Sequence, residues 1–167
     1  MVNPSLYGKV NYDPVNGFTP ITGLVIINHA LITHPSLPVR NVSELIELAK
    51  KKPGELNYGT FGIGSTGHLN MELLQAMSGA KFQAVHYRGA TPALTDVIAG
   101  HIQMMFVSVG TGAPQWRENK VKLLAIGGKQ RMALLPDVPA VAESGLPGYE
   151  AVSWFGLFGP PGMPAAV

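Results

Sequence analysis

The sequence predicts an α/β fold with a mostly parallel sheet flanked by helices. The first observation is that short apolar segments of strand type alternate with segments whose apolar residues recur at helical spacing. The second is that glycine and proline stand at the junctions between these segments. The third is the composition: the 167 residues are 46% hydrophobic and 13% charged, which is typical of one globular domain or lobe rather than of a disordered chain.

The first predicted elements are two extended segments and a helix. Residues 18–24 and 30–34 are apolar segments bounded by prolines and a glycine. Asn41 followed by Glu44 has the spacing of a capping box, and the apolar residues after Asn41 recur at helical spacing. We therefore expect a helix that is capped by Asn41 and ends at Pro53-Gly54.

Strands and helices alternate after this first helix. The predicted strands are residues 56–60, 82–86, 102–107 and 122–126. The predicted helices are residues 69–77 and 92–99, with a short helix opened by a proline at 113–117. The tail from Gly127 is rich in glycine and proline, which predicts a surface connection. Parallel sheets of this kind bind ligands beyond the C-terminal ends of their strands, so we look for functional residues there.

A glycine-rich loop lies between the predicted strand 56–60 and the predicted helix 69–77. Residues 62–67, Gly-Ile-Gly-Ser-Thr-Gly, have the G-x-G-x-x-G spacing of loops that hold a dinucleotide pyrophosphate. Glycines let backbone N–H groups approach a ligand, and the N-terminus of the following helix carries a partial positive charge. The loop therefore predicts an anion site in which Ser65 and Thr66 can donate hydroxyl hydrogen bonds.

Three interpretations of this loop stay open. A dinucleotide site needs an acidic residue about 20 residues further on, but the next strand ends in Tyr87-Arg88-Gly89, and the nearest acid, Asp96, lies inside a predicted helix. Arg88 could instead face a 2′-phosphate, so the alternative function is an enzyme fragment that binds NADP or another nucleotide. The glycines could also serve a tight turn alone. A carboxylate fits better, because it needs a few donors and no obligatory acid.

Other polar residues fall at the same edge of the predicted sheet. His68 lies in the first helical turn after the loop and could donate to a ligand or cap the surface. Arg88 follows the strand 82–86, and arginine is a bidentate partner for carboxylates. Ser108 follows the strand 102–107, where it could also cap a helix. The predicted ligand-binding residues are Gly64, Ser65, Thr66, Gly67, His68, Tyr87, Arg88, Gly89 and Ser108.

Composition and spacing exclude several functions. The chain has no cysteine, and His68 has no second histidine or acid at ligand spacing, so we expect neither a metal nor a cofactor. No Ser-His-Asp set can be assembled, and we expect no catalytic residue and no enzyme activity. The net charge is only +2 and the basic residues form no stripe, so we expect no nucleic acid partner. No signal peptide is visible, and residues 162–167 look like a helix that does not continue, which suggests a fragment.

Several short stretches occur in order along nearly the whole chain. They are Tyr12-Asp13-Pro14-Val15, His34-Pro35-Ser36-Leu37-Pro38, Lys52-Pro53-Gly54-Glu55-Leu56, Gly64-Ser65-Thr66-Gly67-His68, Tyr87-Arg88-Gly89-Ala90-Thr91-Pro92, Leu135-Pro136-Asp137-Val138-Pro139 and Gly145-Leu146-Pro147-Gly148-Tyr149. Together they resemble the periplasmic receptors of tripartite tricarboxylate transporters, the Bug or TctC family of solute-binding proteins.

This resemblance implies a lobe like those of type II periplasmic binding proteins. It implies a receptor that captures a small carboxylate in the periplasm and presents it to the membrane components of a transporter. Residues 1–34 would form a connecting segment with hinge-side strands, residues 35–127 the α/β ligand-binding lobe, and residues 128–167 the return towards a missing first lobe. Self-association through the exposed hinge face is a further expectation. Family members often carry Asp after Phe106, where this chain has Val107, so a preference for an amine-bearing ligand is not implied.

Overall fold

A computed structural model describes residues 2–164 of the chain. Within that range the chain forms two compact units. The larger unit consists of residues 27–152, and the smaller unit consists of residues 2–26 together with residues 153–164. The boundary between the two units falls within strand β1, Thr19–Thr33, between residues 26 and 27.

The sheet of the larger unit has the strand order β3-β2-β4-β1-β5. Strands β2 to β5 are Asn57–Thr60, Gln83–His86, Met104–Ser108 and Lys122–Ile126. Strand β2 is parallel to β3 and β4, whereas β1 is antiparallel to both β4 and β5. Strands β2 to β5 therefore all run in one direction and only β1 opposes them, which confirms the predicted mostly parallel sheet.

Helices cover both faces of this sheet. They are α2, Val42–Lys51; α3, Thr66–Ser78; α4, Ala90–Ala99; and α5, Val109–Arg117. Alternate side chains of β4 divide between two buried clusters: Phe106 packs with α2 and α3, and Val107 packs with α4 and α5. Because successive side chains of a strand point to opposite faces, the helices lie in two layers with the sheet between them, as the predicted α/β class requires.

The predicted helices are present, but three of them begin earlier than expected. Helix α3 begins at Thr66 rather than residue 69, and α4 begins at Ala90 rather than residue 92. Helix α5 begins at Val109 rather than residue 113, so Pro114 lies inside it and does not open it. The reason is that the first residues of these helices are mostly small or polar, so they show no apolar periodicity.

The expectation of two separate extended segments near the N-terminus was wrong. Residues 18–24 and 30–34 belong to one strand, β1, because Val25, Ile26 and Ile27 continue the extended backbone between them. Branching at Cβ favours that backbone conformation. The tail also contains more regular structure than a simple connection, namely a single 3-10 turn at Val141–Ser144 and strand β6, Val152–Gly159.

The smaller unit contains a short helix, α1, Asn3–Leu6, and a ribbon in which β6 pairs with β1. Aromatic rings of Tyr12, Phe18 and Phe158 meet edge to face in this unit, with centroids 6.1 and 6.5 Å apart. The ribbon nevertheless exposes many large apolar side chains, among them Ile21, Leu24, Val25, Ile26, Trp154, Phe155 and Leu157. No helix in residues 2–164 is long and apolar enough to span a membrane.

Candidate functional site

Three junctions between a strand and a helix meet at one edge of the larger unit's sheet. Strand β2 leads to α3, β3 leads to α4, and β4 leads to α5. Thr60 pairs with His86 at the ends of β2 and β3, and Gly59 pairs with Met105 of β4, so all three strands end at the same edge. We call this edge the rim. The rim contains all of the residues predicted to bind ligand, and their contact with a ligand remains a prediction.

The rim has the topology of a switch point in an open α/β sheet. Strands β2 and β4 are neighbours, yet their following helices lie on opposite faces. Helix α3 buries Met71 and Leu74 with Phe106, whereas α5 buries Val109 and Ala113 with Val107. Chains that leave neighbouring strands in opposite directions open a crevice between them, and ligands bind in such crevices. By this rule, such a crevice is expected between the loop of residues 61–65 and Ser108.

The side chain of Thr60 holds the start of the glycine-rich loop by a hydrogen bond. This residue is fully buried, and its Oγ1 accepts a 3.2 Å hydrogen bond from the amide of Gly62. The same hydroxyl lies 2.8 Å from Nδ1 of His86 at the end of β3. Gly62 and Gly64 have φ of 127° and 73°, a region that residues with a side chain rarely adopt. The first two glycines of the motif therefore serve the backbone of the turn.

Gly67 has a different task from the other two glycines. It lies in the first turn of α3 and is buried. A Cβ atom at this position would lie 2.6 Å from the ring of Phe61 and 2.9 Å from the carbonyl oxygen of Phe106. Gly67 therefore allows α3 to pack closely on β4, which is also the role of the third glycine in dinucleotide-binding turns.

His68 stabilises the loop from within the helix. Its Nδ1 accepts a 3.1 Å hydrogen bond from the amide of Gly64, so the ring is unprotonated at that nitrogen. The ring stacks on Tyr58, and its Nε2 lies 3.8 Å from Oε1 of Glu72, which also accepts a 2.7 Å hydrogen bond from the Tyr58 hydroxyl. Burial lowers the pKa of His68, and Glu72 opposes that shift. His68 is thus a neutral ring with a structural role in the loop.

Ser65 caps helix α3. Its side chain accepts a long, 3.4 Å hydrogen bond from the amide of His68, and its carbonyl accepts the first helical bond, from Leu69. Thr66 is the first residue of the helix and is half-buried. Both hydroxyl-bearing residues therefore lie at the positive end of α3, where an anion is stabilised.

The junction between β3 and α4 carries an exposed arginine, Arg88, next to a tyrosine that is hydrogen-bonded to α4. The hydroxyl of Tyr87 donates a 2.6 Å hydrogen bond to Asp96 of α4, and Asp96 also lies 3.3 Å from Nδ1 of His101. Burial and the contact with Asp96 raise the pKa of Tyr87 to about 12. Arg88 is exposed and forms no ion pair within residues 2–164. Gly89, with φ of 151°, turns the chain into α4.

Ser108 occupies the N-cap position of α5 without capping the helix through its side chain. It is the N-cap residue of α5, but its side chain accepts no hydrogen bond from the backbone of that helix. Its Oγ lies instead 2.8 Å from Oγ1 of Thr111. A hydroxyl pair of this kind can donate one further hydrogen bond, because only one of its two protons is used between the two oxygens.

Sequence reasoning missed two buried polar residues on this part of the fold. His29 of β1 pairs with Ser108 in the sheet and is only 5% exposed. Asn70 of α3 is 3% exposed. Within the described chain, His29 Nδ1 and Asn70 Nδ2 have no hydrogen-bond partner. The available signal was that His29 interrupts an otherwise apolar strand. Within residues 2–164 no group of three or more His, Asp or Glu side chains is placed to hold a metal ion.

Comparison with known families gives a match over the whole chain. Residues 1–167 match the profile of the family described as tripartite tricarboxylate transporter family receptor. A curated relative from Pseudomonas sp., named UPF0065 protein in tcbD-tcbE intergenic region, is 32% identical over 168 residues, which cover 100% of this chain and 50% of the relative. The chain thus spans about half the length of the curated relatives it matches.

Solved structures show the same similarity. A Rhodopseudomonas palustris protein solved with adipate has 36% sequence identity and a TM-score of 0.85, covering 96% of this chain and 54% of that one. MatC from Rhodopseudomonas palustris, solved with bound malate, has 31% identity and a TM-score of 0.85, covering 98% of this chain and 55% of that one. A structure described as periplasmic binding protein BugD has 31% identity and a TM-score of 0.86, covering 99% of this chain and 55% of that one, which confirms the predicted periplasmic binding protein class of the fold.

Proposed function

This chain belongs to the receptor family of tripartite tricarboxylate transporters, and on that premise we propose that it supplies the rim that captures a small carboxylate in an extracytoplasmic receptor. The family consists of solute receptors rather than enzymes, which agrees with the prediction of no catalytic activity. Since the chain spans about half of its relatives' length, the proposal concerns the part of the binding site that this half contributes.

The convergence of three helix N-termini on the rim supports this proposal most directly. The N-cap residues Ser65, Gly89 and Ser108 begin helices of 13, 10 and 9 residues. Each helix N-terminus carries about half a positive charge. Arg88 adds a full charge and a planar pair of donors. A carboxylate in the crevice would accept charge-assisted hydrogen bonds from several of these groups at once.

The relatives indicate the class of ligand and the partners. Two of the similar structures contain adipate and malate, both of which are dicarboxylates. We propose a small dicarboxylate or related acid as the ligand, membrane components of a transporter as the protein partners, and the periplasm as the location. None of these partners is a nucleic acid.

The enzyme alternative has no support from the comparisons. The G-x-G-x-x-G spacing is explained by the turn at Gly62 and Gly64 and by the packing of Gly67. Asp96, the nearest acid after the loop, already accepts a hydrogen bond from Tyr87. Nothing at the end of β3 therefore offers the carboxylate that would hold a ribose hydroxyl.

An amide chemical-shift titration of this chain tests the proposal. Succinate, adipate, malate, citrate, glutamate and NADP are added separately to the isotope-labelled protein. Saturable shifts at Gly64–His68 and around Ser108 with a carboxylate support the proposal and identify the ligand class. Shifts at the same amides with NADP alone would favour the nucleotide alternative, and the absence of shifts with every carboxylate would contradict rim binding by this chain.

We further propose that two copies of the chain associate through the ribbon of the smaller unit. Neighbouring apolar residues of β1, such as Leu24 and Val25, are 64% and 49% exposed and point to opposite faces of the ribbon. Residues 17–28 and 151–164 contain no charge, so a symmetric contact would bring no like charges together. Exposed apolar strands without charged residues favour pairing with another chain.

Light scattering over a range of concentrations tests this association. The mass of the wild-type particle is expected to rise towards that of a dimer, and Ile26→Lys is expected to restore the monomer. Leu134→Lys, at an exposed apolar residue of the larger unit, is the matched control and should leave association unchanged. A wild-type protein that stays monomeric at every concentration would refute the pairing.

A further inference from the structure

The larger unit has a cleft at the end of the sheet opposite the rim, where strand β5 begins. We call it the Trp116 cleft; it has a volume of about 380 Å³, and its lining includes Arg40, Trp116, Asn119, Lys122 and Leu124. Along β1, Ser108 of the rim pairs with His29, whereas Lys122 of the cleft pairs with Thr33. Four residues of a strand span about 13 Å, so the cleft and the rim are separate sites.

Two cations line the Trp116 cleft. Arg40 is exposed, and Lys122 is partly buried; neither forms an ion pair within the described residues. No acidic side chain is part of the lining. The carboxylate of Glu44, four residues after Arg40, accepts hydrogen bonds from the backbone amide of Arg40 at 2.8 Å and from the side chain of Asn41 at 3.2 Å. Glu44 is therefore engaged in holding the start of α2.

The ammonium group of Lys122 is held in place by backbone carbonyls. Its Nζ donates to the carbonyl oxygens of Leu37 at 2.6 Å and Val39 at 3.3 Å. A lysine ammonium has three donors, and these two carbonyls are neutral. Lys122 therefore combines a fixed position, an uncompensated charge and one remaining donor, which are the properties of an anion-binding group.

Apolar residues complete the lining of the cleft, which extends around the edge strand β5. Trp116 of α5 is half-buried and packs with the cluster of Val107 on one face of the sheet, whereas Leu124 of β5 is buried in the cluster of Phe106 on the other face. Asn119, with φ of 58°, turns the chain after the helix, and its amide donates to the carbonyl of Trp116 at 2.9 Å. The carbonyls of Pro114 and Gln115 also accept backbone hydrogen bonds. Because these carbonyls at the negative end of α5 are already paired, they weaken the positive field of the cleft less than free ones would.

We propose that the Trp116 cleft is a second ligand site, which binds a small monocarboxylate with a planar apolar body. The carboxylate would accept hydrogen bonds from Arg40 and Lys122, and the apolar body would pack on the indole ring of Trp116. The volume is within the range of small-molecule pockets. This proposal is independent of the rim, since the two sites share no residue.

Titration of the isotope-labelled 167-residue chain with benzoate tests the second site. The indole N–H signal of Trp116 reports on the cleft, and that of Trp154, in the smaller unit, is the internal reference. Benzamide is the neutral control, because it has nearly the same shape and no charge. We expect a saturable shift of the Trp116 signal with benzoate, little shift with benzamide, and no change at Trp154.

Matched variants complete the test. Arg40→Gln is expected to weaken benzoate binding about tenfold, the effect of losing one hydrogen bond to a charged group. Lys129→Gln removes the same charge at an exposed residue outside the cleft lining and should leave benzoate binding unchanged. Equal shifts with benzoate and benzamide, unchanged binding in Arg40→Gln, or no saturable shift at Trp116 would each overturn the proposal. Shifts at Gly64–His68 in the same spectra report on the rim separately.

Discussion

The amide of Gly64 donates a 3.1 Å hydrogen bond to Nδ1 of His68, four residues further along the chain. This bond joins the glycine-rich loop to the first turn of the helix that follows it. An imidazole that accepts at Nδ1 must be neutral, because a protonated ring has only donors. The shape of the loop is therefore linked to the protonation state of His68.

The first prediction is that acid destabilises the protein in part through His68. Its pKa is lowered in the folded state by burial, so the folded protein takes up this proton less readily than the unfolded chain. The contribution of neutral His68 to the free energy of unfolding is fully present above the ordinary histidine pKa. It is lost as the pH falls through the lowered pKa of the folded state. Burial lowers the pKa of His29 as well, so protonation of His29 at low pH also reduces the free energy of unfolding.

Chemical denaturation at pH 7.5 and at pH 5 measures this effect. His68→Phe removes the acceptor of the Gly64 amide and is expected to lower the free energy of unfolding at pH 7.5 by about 1–3 kcal/mol. The loss of stability between the two pH values should be smaller in this variant than in the wild type. Equal losses in both proteins would show that His68 does not contribute.

The second prediction concerns Gly67. In Gly67→Ala the new Cβ would meet the carbonyl oxygen of Phe106, which belongs to the sheet backbone and cannot rotate away. We expect a destabilisation of about 1–3 kcal/mol from overpacking. Gly110→Ala is the control, since Gly110 lies in helix α5 with nothing within 4 Å of the new atom, and it should be neutral or slightly stabilising. Thermal denaturation of the three proteins decides the matter.

The third prediction addresses ligand binding at the rim. Thr66→Val keeps the bulk of the side chain and removes its hydroxyl, and we expect about tenfold weaker carboxylate binding if the hydroxyl donates to the ligand. Thr95→Val is the control, because Thr95 is exposed on α4 and its hydroxyl donates to the carbonyl of Thr91. Affinities are measured with the acid that gives the largest shifts in the titration. Unchanged affinity in Thr66→Val would remove Thr66 from the site.

The fourth prediction concerns the carboxylate of Asp96. Its pKa is lowered first by the hydrogen bond from Tyr87 and then by the one from His101. Tyr87→Phe should therefore raise the pKa of Asp96, and His101→Gln should raise it less. Carbon NMR titration of the aspartate side chain gives these values directly. A pKa that is unchanged in Tyr87→Phe would mean that the 2.6 Å contact does not persist in solution.

Local patterns predicted those features that depend on neighbouring residues. Asn41 does cap α2, accepting a 2.9 Å hydrogen bond from the amide of Glu44, as the capping-box spacing indicates. Glu44 reaches the amide of Arg40 rather than that of Asn41, a detail beyond the pattern. The alternation of strands and helices likewise identified the α/β class, because each segment is long enough to show its own period.

Features that depend on distant residues could not be predicted. The need for glycine at position 67 comes in part from the backbone of Phe106, which lies 39 residues further along the chain and reaches Gly67 only through the fold. The continuity of β1 was missed because Asn28 and His29 interrupt its apolar pattern. The buried position of His29 follows from its pairing with Ser108 in the sheet, and no local spacing indicates that pairing.

The glycine-rich loop has a thermodynamic consequence for any ligand of the rim. The amides of Gly62, Gly64 and Ser65 already donate to Thr60, His68 and Gly62 within the protein. The loop is therefore ordered before a ligand arrives, and binding does not require the entropy cost of freezing several glycine dihedral angles. The ligand loses mainly its own freedom of motion. Affinity at this rim should accordingly follow the fit of the ligand to a preorganised surface rather than the flexibility of the loop.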